Sequence, residues 1–482
     1  MGRDLITIAG NKFKRVLFVR TDIDEAKKHI HPRDILPPLA IGYAAKILEY
    51  KGYEIRFIDN RIEELSLCEF VRLSIKWSPD IIFLYTENWG LDSCIEYAEG
   101  VKKMRKSMPI IAIGPLVSCA PETLIYKGSS IDAALLGEFE LALVSLLERM
   151  NNQKDICAIR SVYLPNKHNV KAEVINDLDK LPIPKYELFD PSKYTILCPL
   201  KFYKRVKWGY VISERGCPYQ CIFCSPLIRE RYDKKIKLRS PKIVVDEIER
   251  LINLGANVIS FNDDDFTVSR KHVIELCNEI NRRNLAVKWI AQARIDEVDK
   301  ELLKIMKEAG CILLKFGIES GSNRVIRLIN KTNKEIDWVK KTKEIFGYAN
   351  KLGISTLSFF MIGNPTETEE EVRESINLAE EIKSDIIQVH FFTAYRGSAA
   401  YNIYKDKVKD NYPYHYSLGT NLSEIPDKRL KELHIEFYKK FYLNIPFLLN
   451  HYRKFWLFYL KNPRVWKRLA SYMVKTSKIY NQ

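Results

Sequence analysis

The sequence predicts an α/β protein in three parts: an N-terminal doubly wound (Rossmann-like) domain, a partial (β/α)6 barrel, and a helical C-terminal region. Three observations predict it. Residues 14–150 alternate short apolar runs with segments of helical spacing five times over. The alternation returns six times between 209 and 393. After about 405 the chain is helical in pattern and rich in aromatics, Lys and Arg.

In the first part, strands are expected at Val16–Val19, Tyr53–Ile58, Asp80–Tyr85, Ile110–Gly114 and Ile131–Leu136. Helices are expected at 38–51, 63–76, 91–106, 121–128 and 138–150. Strands alternating with helices of ~10–15 residues read as βαβ units on a parallel sheet, whose ligands sit outside the carboxyl ends of the strands. Residues 151–205 lose the rhythm, and LPIPKYELFDPSKY, with its three prolines, reads as a connector. The second series has strands at Gly209–Ser213, Asn257–Asn262, Val287–Gln292, Ile312–Ile318, Ile354–Ile362 and Asp385–Thr393. Its helices fall at 241–254, 269–283, 297–309, 334–352 and 367–383. Six units are too few to close an eight-fold barrel, so an open one is expected. The domain bounds read this way are 1–150, a linker 151–205, a core 206–400 and a helical region 401–482.

Composition sets outer limits. At 482 residues, 46 % hydrophobic and 29 % charged, the chain buries a core of ordinary size. A disordered chain, a collagen-like repeat and a disulfide scaffold are excluded. The net charge of +16 favours an anionic partner, whether nucleic acid, phosphate or a membrane surface. Residues 441–482 hold eight Lys and Arg and no Asp or Glu, half of that net charge. The ten Cys are scattered apart from one group of three, which points to a reduced, cytoplasmic setting. No signal peptide is seen at the start, and no window reaches the ~18 apolar residues of a membrane span.

The group of three lies in SERGCPYQCIFCSP. Cys217, Cys221 and Cys224 form C-x3-C-x2-C. Three thiolates within eight residues can wrap one soft metal centre, yet a closed zinc site needs a fourth ligand nearby and none follows. Iron–sulfur clusters also use thiolates, usually four per cubane, so three leave one iron open to a substrate. The plain alternatives are three unrelated Cys or a partial zinc knuckle. Against them, the group follows the strand GYVIS at the mouth of a parallel barrel, where active sites belong.

With these motifs in this order, residues 205–400 resemble the radical S-adenosylmethionine (SAM) enzymes. The resemblance implies a [4Fe–4S] cluster on Cys217, Cys221 and Cys224, whose open iron binds the amino and carboxylate groups of SAM. Reduction then cleaves SAM to a 5′-deoxyadenosyl radical. Phe223 matches the residue flanking the adenine. In FNDDDF, Asp264 and Asp265 match the position that holds the SAM amino group; helix capping is the plain alternative for any of Asp263, Asp264 and Asp265. Arg294 in AQARIDE is placed to clamp a carboxylate, against a surface ion pair. Glu319 and Ser320 in FGIESG resemble the ribose-binding segment. Gly363, Pro365, Glu367 and Thr368 resemble the G-x-P-x-E-T turn near the adenine, with a plain strand–helix turn as the alternative. AYRGSAAY resembles P-G-T-x-x-Y, but Arg396 replaces the Pro and Ser398 the Thr.

A doubly wound domain ahead of such a core resembles the cobalamin-binding subgroup. Pro37, Pro38, Gly114, Ser118, Gly137, Glu138 and Glu140 stand at matching places in LPPLAIGYAAKILEY, IAIGPLVS and ALLGEFE. The resemblance implies cobalamin, held in part by Gly114, Ser118, Gly137 and Glu138. Pro115 replaces a glycine of the usual turn. The D-x-H-x-x-G motif that supplies a histidine to cobalt is absent, and His29 and His31 lack its frame. A degenerate domain without ligand is the alternative. His390, on the sixth barrel strand, either faces substrate or is a core histidine.

The resemblance implies an enzyme that methylates an unactivated carbon, with a cyclase or oxidative rearrangement as the rival reading; no catalytic side chain is assigned. A tRNA-modifying methylthiotransferase is a further alternative, which lacks its second Cys triad here, so a nucleic-acid partner is not expected. A non-enzymatic sensor of cobalamin and cluster is the third. The expected partners are a small-molecule or lipid-like substrate and a one-electron reductant of flavodoxin or ferredoxin type. The segment RKFWLFYLKNPRVWKRLASYMVKTSK interleaves aromatics with Lys and Arg. It reads as a helical lid or as a peripheral contact, through 441–482, with the inner face of the membrane. The basic run at 229–239 is a second surface for an anionic headgroup.

Overall fold

The computed structural model describes residues 13–21, 35–87, 90–166, 170–194, 196, 200, 205–224, 235–408 and 418–463. His29, His31, residues 229–234 and residues 464–482, on which expectations were placed, lie outside them. The chain forms two compact units: Met1–His29, Ile35–Tyr194 and Pro226–Lys237 make the first, and Ile30–Asp34, Thr195–Ser225 and Leu238–Gln482 the second.

The first unit runs β1 (Arg15–Arg20), α1 (Leu39–Tyr50), β2 (Glu54–Asp59), α2 (Leu67–Lys76), β3 (Ile81–Tyr85), α3 (Leu91–Met104), β4 (Ile110–Ile113), α4 (Pro115–Cys119), β5 (Ala133–Leu135), α5 (Phe139–Asn151) and β6 (Val162–Tyr163). The strand order is β2-β1-β3-β4-β5-β6. The first five are parallel and β6 is antiparallel to β5. Side chains alternate faces along a strand. Val16 and Phe18 therefore enter a core layer with Leu48, Phe83, Phe139 and Leu143. Leu17 and Val19 enter the opposite layer with Leu84, Tyr97, Val101 and Leu116. Both faces are covered, which is why these strands read as unbroken apolar runs.

Two local readings change. No α-helix forms over 121–128. The helix instead starts right after β4 at Pro115–Cys119, and only a single 3-10 turn follows at Pro121–Thr123. Gly114, at φ +103°, turns the chain sharply, and Pro115 takes a first-turn position where its missing N–H costs nothing. The stretch after 151 also carries structure: β6 extends the sheet, and Glu173 pairs with the Gly137 turn.

The second unit contains β7 (Trp208–Val211), α6 (Pro241–Asn253), β8 (Val258–Phe261), α7 (Arg270–Arg282), β9 (Lys288–Ala293), α8 (Lys300–Glu308), β10 (Cys311–Glu319), α9 (Asn323–Leu328), α10 (Trp338–Leu352), β11 (Ser355–Ile362), α11 (Glu369–Glu381), β12 (Ile386–Phe391), α12 (Ala399–Tyr404), α13 (Asp427–Tyr442) and α14 (Ile445–Lys461). All six strands are parallel, in the order β12-β11-β10-β9-β8-β7. The sheet is therefore open, with β7 and β12 at its edges.

An open edge exposes unpaired backbone groups. Along β12, helix α13 covers them. Ile387 N–H donates to Tyr442 Oη at 2.9 Å, and that hydroxyl donates to Ile387 O at 3.0 Å. Val389 N–H donates to Tyr438 Oη at 2.9 Å, and His434 Nε2 lies 3.0 Å from Val389 O. His434, Tyr438 and Tyr442 are spaced by four, so one face of α13 presents all three.

Candidate active site

The candidate site in the second unit gathers at the carboxyl ends of the barrel strands. The three-cysteine segment leaves β7 through Gly216, at φ +105°. Cys221 is buried, and Cys217 and Cys224 are partly so.

The backbone of this segment is held from several sides. Asp263, just past β8, accepts hydrogen bonds from Ser213 N–H at 2.6 Å, Glu214 N–H at 3.1 Å and Ser213 Oγ at 2.5 Å. Asp264 accepts Gly216 N–H at 2.9 Å. Ile222 N–H donates to Ile329 O at 3.0 Å, and Ala400 N–H donates to Ile222 O at 2.9 Å. Asn330 Nδ2 donates to Gln220 O at 3.0 Å. The loop thus depends on three other stretches of the second unit.

The three aspartates each find donors instead of a helix to cap. Asp265 accepts Thr267 N–H and Oγ1–H, and its own N–H donates to Glu214 Oε1. Helix α7 is capped by Ser269. Burial pushes the Asp263 carboxyl up to about 7 and Asp265 up to about 6, and lifts Glu214 well above the usual carboxylate range.

Two cations stand at the cluster loop, one at Cys221 and one near Phe223. Arg294 is buried, with Nη1 3.8 Å from Cys221 Sγ. It makes a bidentate pair with Asp296, at 3.0 Å to each oxygen, donates to Lys331 O, and stacks 3.5 Å from the Tyr219 ring centre. Asp296 is held below the usual range by Arg294, against the opposing effect of burial. Lys331, also buried, donates to Glu319 Oε1 at 2.7 Å and stands 5.9 Å from the Phe223 ring centre. Neither Lys331 nor Tyr219 carries a periodic or motif signal, and both come to the site by folding.

Glu319 ends β10 in the left-handed region, at φ +67°. Two residues earlier, a Cβ on Gly317 would sit 2.4 Å from Glu319 Oε1 and 2.7 Å from Lys331 Nζ. Glycine here makes room for the ion pair. Ser320 is fully buried, and its hydroxyl accepts Ser322 N–H and meets Ser375 Oγ at 3.3 Å. Beyond β11, Gly363 turns at φ +78°. Glu367 closes that turn by accepting Asn364 N–H and Nδ2–H, both at 3.0 Å, and burial pushes its carboxyl up to about 8. Thr368 caps α11 in a capping box with Glu371. Ser398 caps α12. His390 rests edge-on to Phe359 at 6.0 Å.

In the first unit, Ser118 joins two glycine turns at the carboxyl ends of β4 and β5. Its hydroxyl donates to Gly114 O and accepts Gly137 N–H, both at 2.9 Å. Gly137, at φ +84°, lies so close to Glu173 that a Cβ would be 2.3 Å from that carbonyl. Glu138 is fully buried and accepts Ile175 N–H at 2.6 Å and Lys237 Nζ–H at 3.0 Å. At the ends of β1 to β3, Arg20 pairs with Asp59 and Glu87, Arg61 pairs with Glu87, and Tyr194 donates to Asp59. No motif pointed to this network. The histidines among the described residues, 272, 390, 434 and 451, all belong to the second unit.

Do the residues fit a cluster? Among the described residues no three His, Cys, Asp or Glu side chains converge as ligands of one ion would. A cubane needs no such convergence, because each thiolate binds a different iron. Burial holds the Cys217 and Cys224 thiols up at about 12, a cost that binding as thiolates to iron removes. Arg294 and Lys331 supply buried positive charge opposite an anionic centre. The donor set fits.

A three-thiol loop behind the first strand of an open parallel barrel, with a doubly wound unit ahead of it, defines a cofactor-dependent enzyme. The radical SAM superfamily model matches residues 211–379, and the B12 binding domain model matches residues 30–147. An uncharacterized methyltransferase of Pyrococcus horikoshii is 30 % identical over 370 residues, covering 75 % of this chain and 77 % of that one. The anaerobic magnesium-protoporphyrin IX monomethyl ester cyclase of Rubrivivax gelatinosus is 25 % identical over 451 residues, 90 % of this chain and 78 % of that one. In fold, the chain is similar to the radical SAM methyltransferase TsrM of Kitasatospora setae, with a TM-score of 0.66 at 18 % identity over 89 % of this chain and 83 % of that one. The chain belongs to the cobalamin-binding radical SAM enzymes, whose cofactors are a [4Fe–4S] cluster, SAM and cobalamin.

Proposed function

We propose that the protein transfers a methyl group to an unactivated carbon of a hydrophobic or lipid-like substrate. The observation that carries methyl transfer is the 30 % identity to a methyltransferase across three quarters of the chain. The cluster, reduced by an external flavodoxin- or ferredoxin-type donor, supplies SAM cleavage, and cobalamin supplies the methyl group. Cys217, Cys221 and Cys224 hold the cluster. Arg294 and Lys331 balance its charge, and Asp263 and Asp264 fix the loop that carries it. Phe223, Asp265 and Glu319 face SAM, with Ser320, Gly363 and Glu367 shaping the turns around it. Gly114, Ser118, Gly137 and Glu138 form the cobalamin end of the first unit, with no histidine for cobalt among the described residues there. Residues 441–482 give peripheral contact with the membrane from the cytoplasmic side.

A cyclase reaction is the second reading, favoured by the relative from Rubrivivax gelatinosus that matches 90 % of this chain. One experiment separates them. The anaerobic protein, reconstituted with iron, sulfide and cobalamin, is given reductant, methyl-deuterated SAM and a lipid extract. Methyl transfer yields 5′-deoxyadenosine and S-adenosylhomocysteine with label in an extracted lipid. 5′-Deoxyadenosine without labelled product supports the cyclase reading, and neither product removes both.

A further inference from the structure

Helix α14 is apolar both on the side where it packs on the protein and on the side where it faces solvent. On one, Phe455 and Phe458 are buried, and Lys454 is tied to Asp385 at 2.9 Å. On the other, Ile445, Leu448, Leu449, Tyr452, Trp456 and Leu460 stand in solvent, with Ile445 and Tyr452 each 70 % exposed, Leu449 69 % and Leu460 67 %. At 3.6 residues per turn these six fall within an arc of about 120°, which borders Phe455 at Leu448 and turns away from Phe458. With Leu443 they make seven of the fifteen exposed large hydrophobics among the described residues. A surface helix ordinarily turns polar residues outward. An apolar stripe this long marks a surface meant to be covered.

Charge selects what covers it. Residues 441–482 carry eight Lys and Arg and no acid. On α14 itself Arg453 and Lys461 are exposed and no acid is present, so a second copy would set like charge against like. A nucleic acid would meet the cations but find leucines and isoleucine where bases need rings to stack on. An anionic bilayer surface satisfies both: headgroups meet the cations, and the acyl boundary takes the aliphatic side chains, with Trp456 and Tyr452 suited to the interface. No described helix is long and apolar enough to cross a membrane, so α14 would lie flat.

The geometry points to α14 as an in-plane anchor on anionic membrane, its outer face entering the interface through Ile445, Leu449, Tyr452 and Leu460. This rests on the peripheral contact proposed above and names its surface and lipid class. The test is flotation of the full-length protein with phosphatidylcholine vesicles, with and without phosphatidylglycerol. The protein should float with the anionic vesicles, release as salt is raised, and float at least about tenfold less well as Leu449→Glu/Tyr452→Glu. Both side chains are exposed, so the melting temperature should not move, which separates lost binding from lost folding. Failure of the unaltered protein to float, or equal flotation by the double variant, overturns the inference. So does a dimer in sedimentation that the double variant splits while vesicles are ignored. Flotation is read without turnover: flotation without labelled methyl product removes the methylase reading alone, and methyl transfer without flotation removes the anchor alone.

Discussion

Glu319 and Lys331 form a buried ion pair at 2.7 Å, twelve residues apart, across a glycine that leaves room for nothing else. The Glu319 backbone adopts the left-handed region, and the Lys331 ammonium stands 5.9 Å from the ring centre of Phe223 in the cluster loop. Removing one partner of such a pair leaves an unpaired buried charge, which costs about 3–5 kcal/mol. Lys331→Met should therefore lower the unfolding free energy by about that much in urea titration. A change below about 1 kcal/mol would show that the pair carries no structural weight.

The cluster loop depends on residues outside its own motif. Cys221→Ala should abolish the brown absorbance of the reconstituted protein, and four irons retained per chain would contradict the ligand assignment. Asp263→Ala removes three hydrogen bonds to Ser213 and Glu214. Its iron content after reconstitution should fall to less than about half, since a loop left without its brace presents its thiols poorly. Full iron content would confine Asp263 to packing.

His434 predicts an acid limb to stability. Burial pulls its pKa down to about 4 from 6.5. The unfolded chain binds the proton first, so stability is complete above 6.5 and falls as the pH drops from 6.5 towards 4. The loss is about 3 kcal/mol for this group. His434→Gln keeps a donor for Val389 O and removes the titration. Its melting temperature should change less between pH 7 and pH 5 than that of the unaltered protein. Equal slopes would assign the acid limb elsewhere, and His451, also lowered to about 4, is the next group to test.

Tyr442→Phe should expose a defect at the open edge of the barrel. The hydroxyl both accepts from and donates to Ile387. Deleting it leaves two buried backbone groups unmet, at about 1–3 kcal/mol. A lower denaturation midpoint with unchanged slope is expected. An unchanged midpoint would mean that water replaces the hydroxyl.

Much of this protein is legible in its residue pattern. The eleven expected strands and all but one of the expected helices form, because these eleven strands are parallel and helices connect them, so each reads as a short, largely apolar run between helical segments. The exception, 121–128, failed because Gly114 and Pro115 start the helix earlier. The C-x3-C-x2-C spacing and the glycine turns at 114, 137 and 363 are local features, set by which residues tolerate a positive φ or sit within one loop. The outward stripe of α14 was not legible there, because the helix carries apolar residues on more than one side and only packing decides which of them are buried.

Only the tertiary structure decided what the charged groups do. Asp263 and Asp264 bind the loop before Cys217, Glu367 closes its own turn, Ser320 meets a serine on α11, and Arg294 divides itself among Asp296, Tyr219 and Cys221. Lys331 and the Arg20–Glu87–Arg61 network had no sequence signal at all. The reason is physical. Backbone period and turn chemistry act over a few residues, whereas the partner of a buried charge is whichever group the fold delivers within about 3 Å, often from a strand or helix far along the chain.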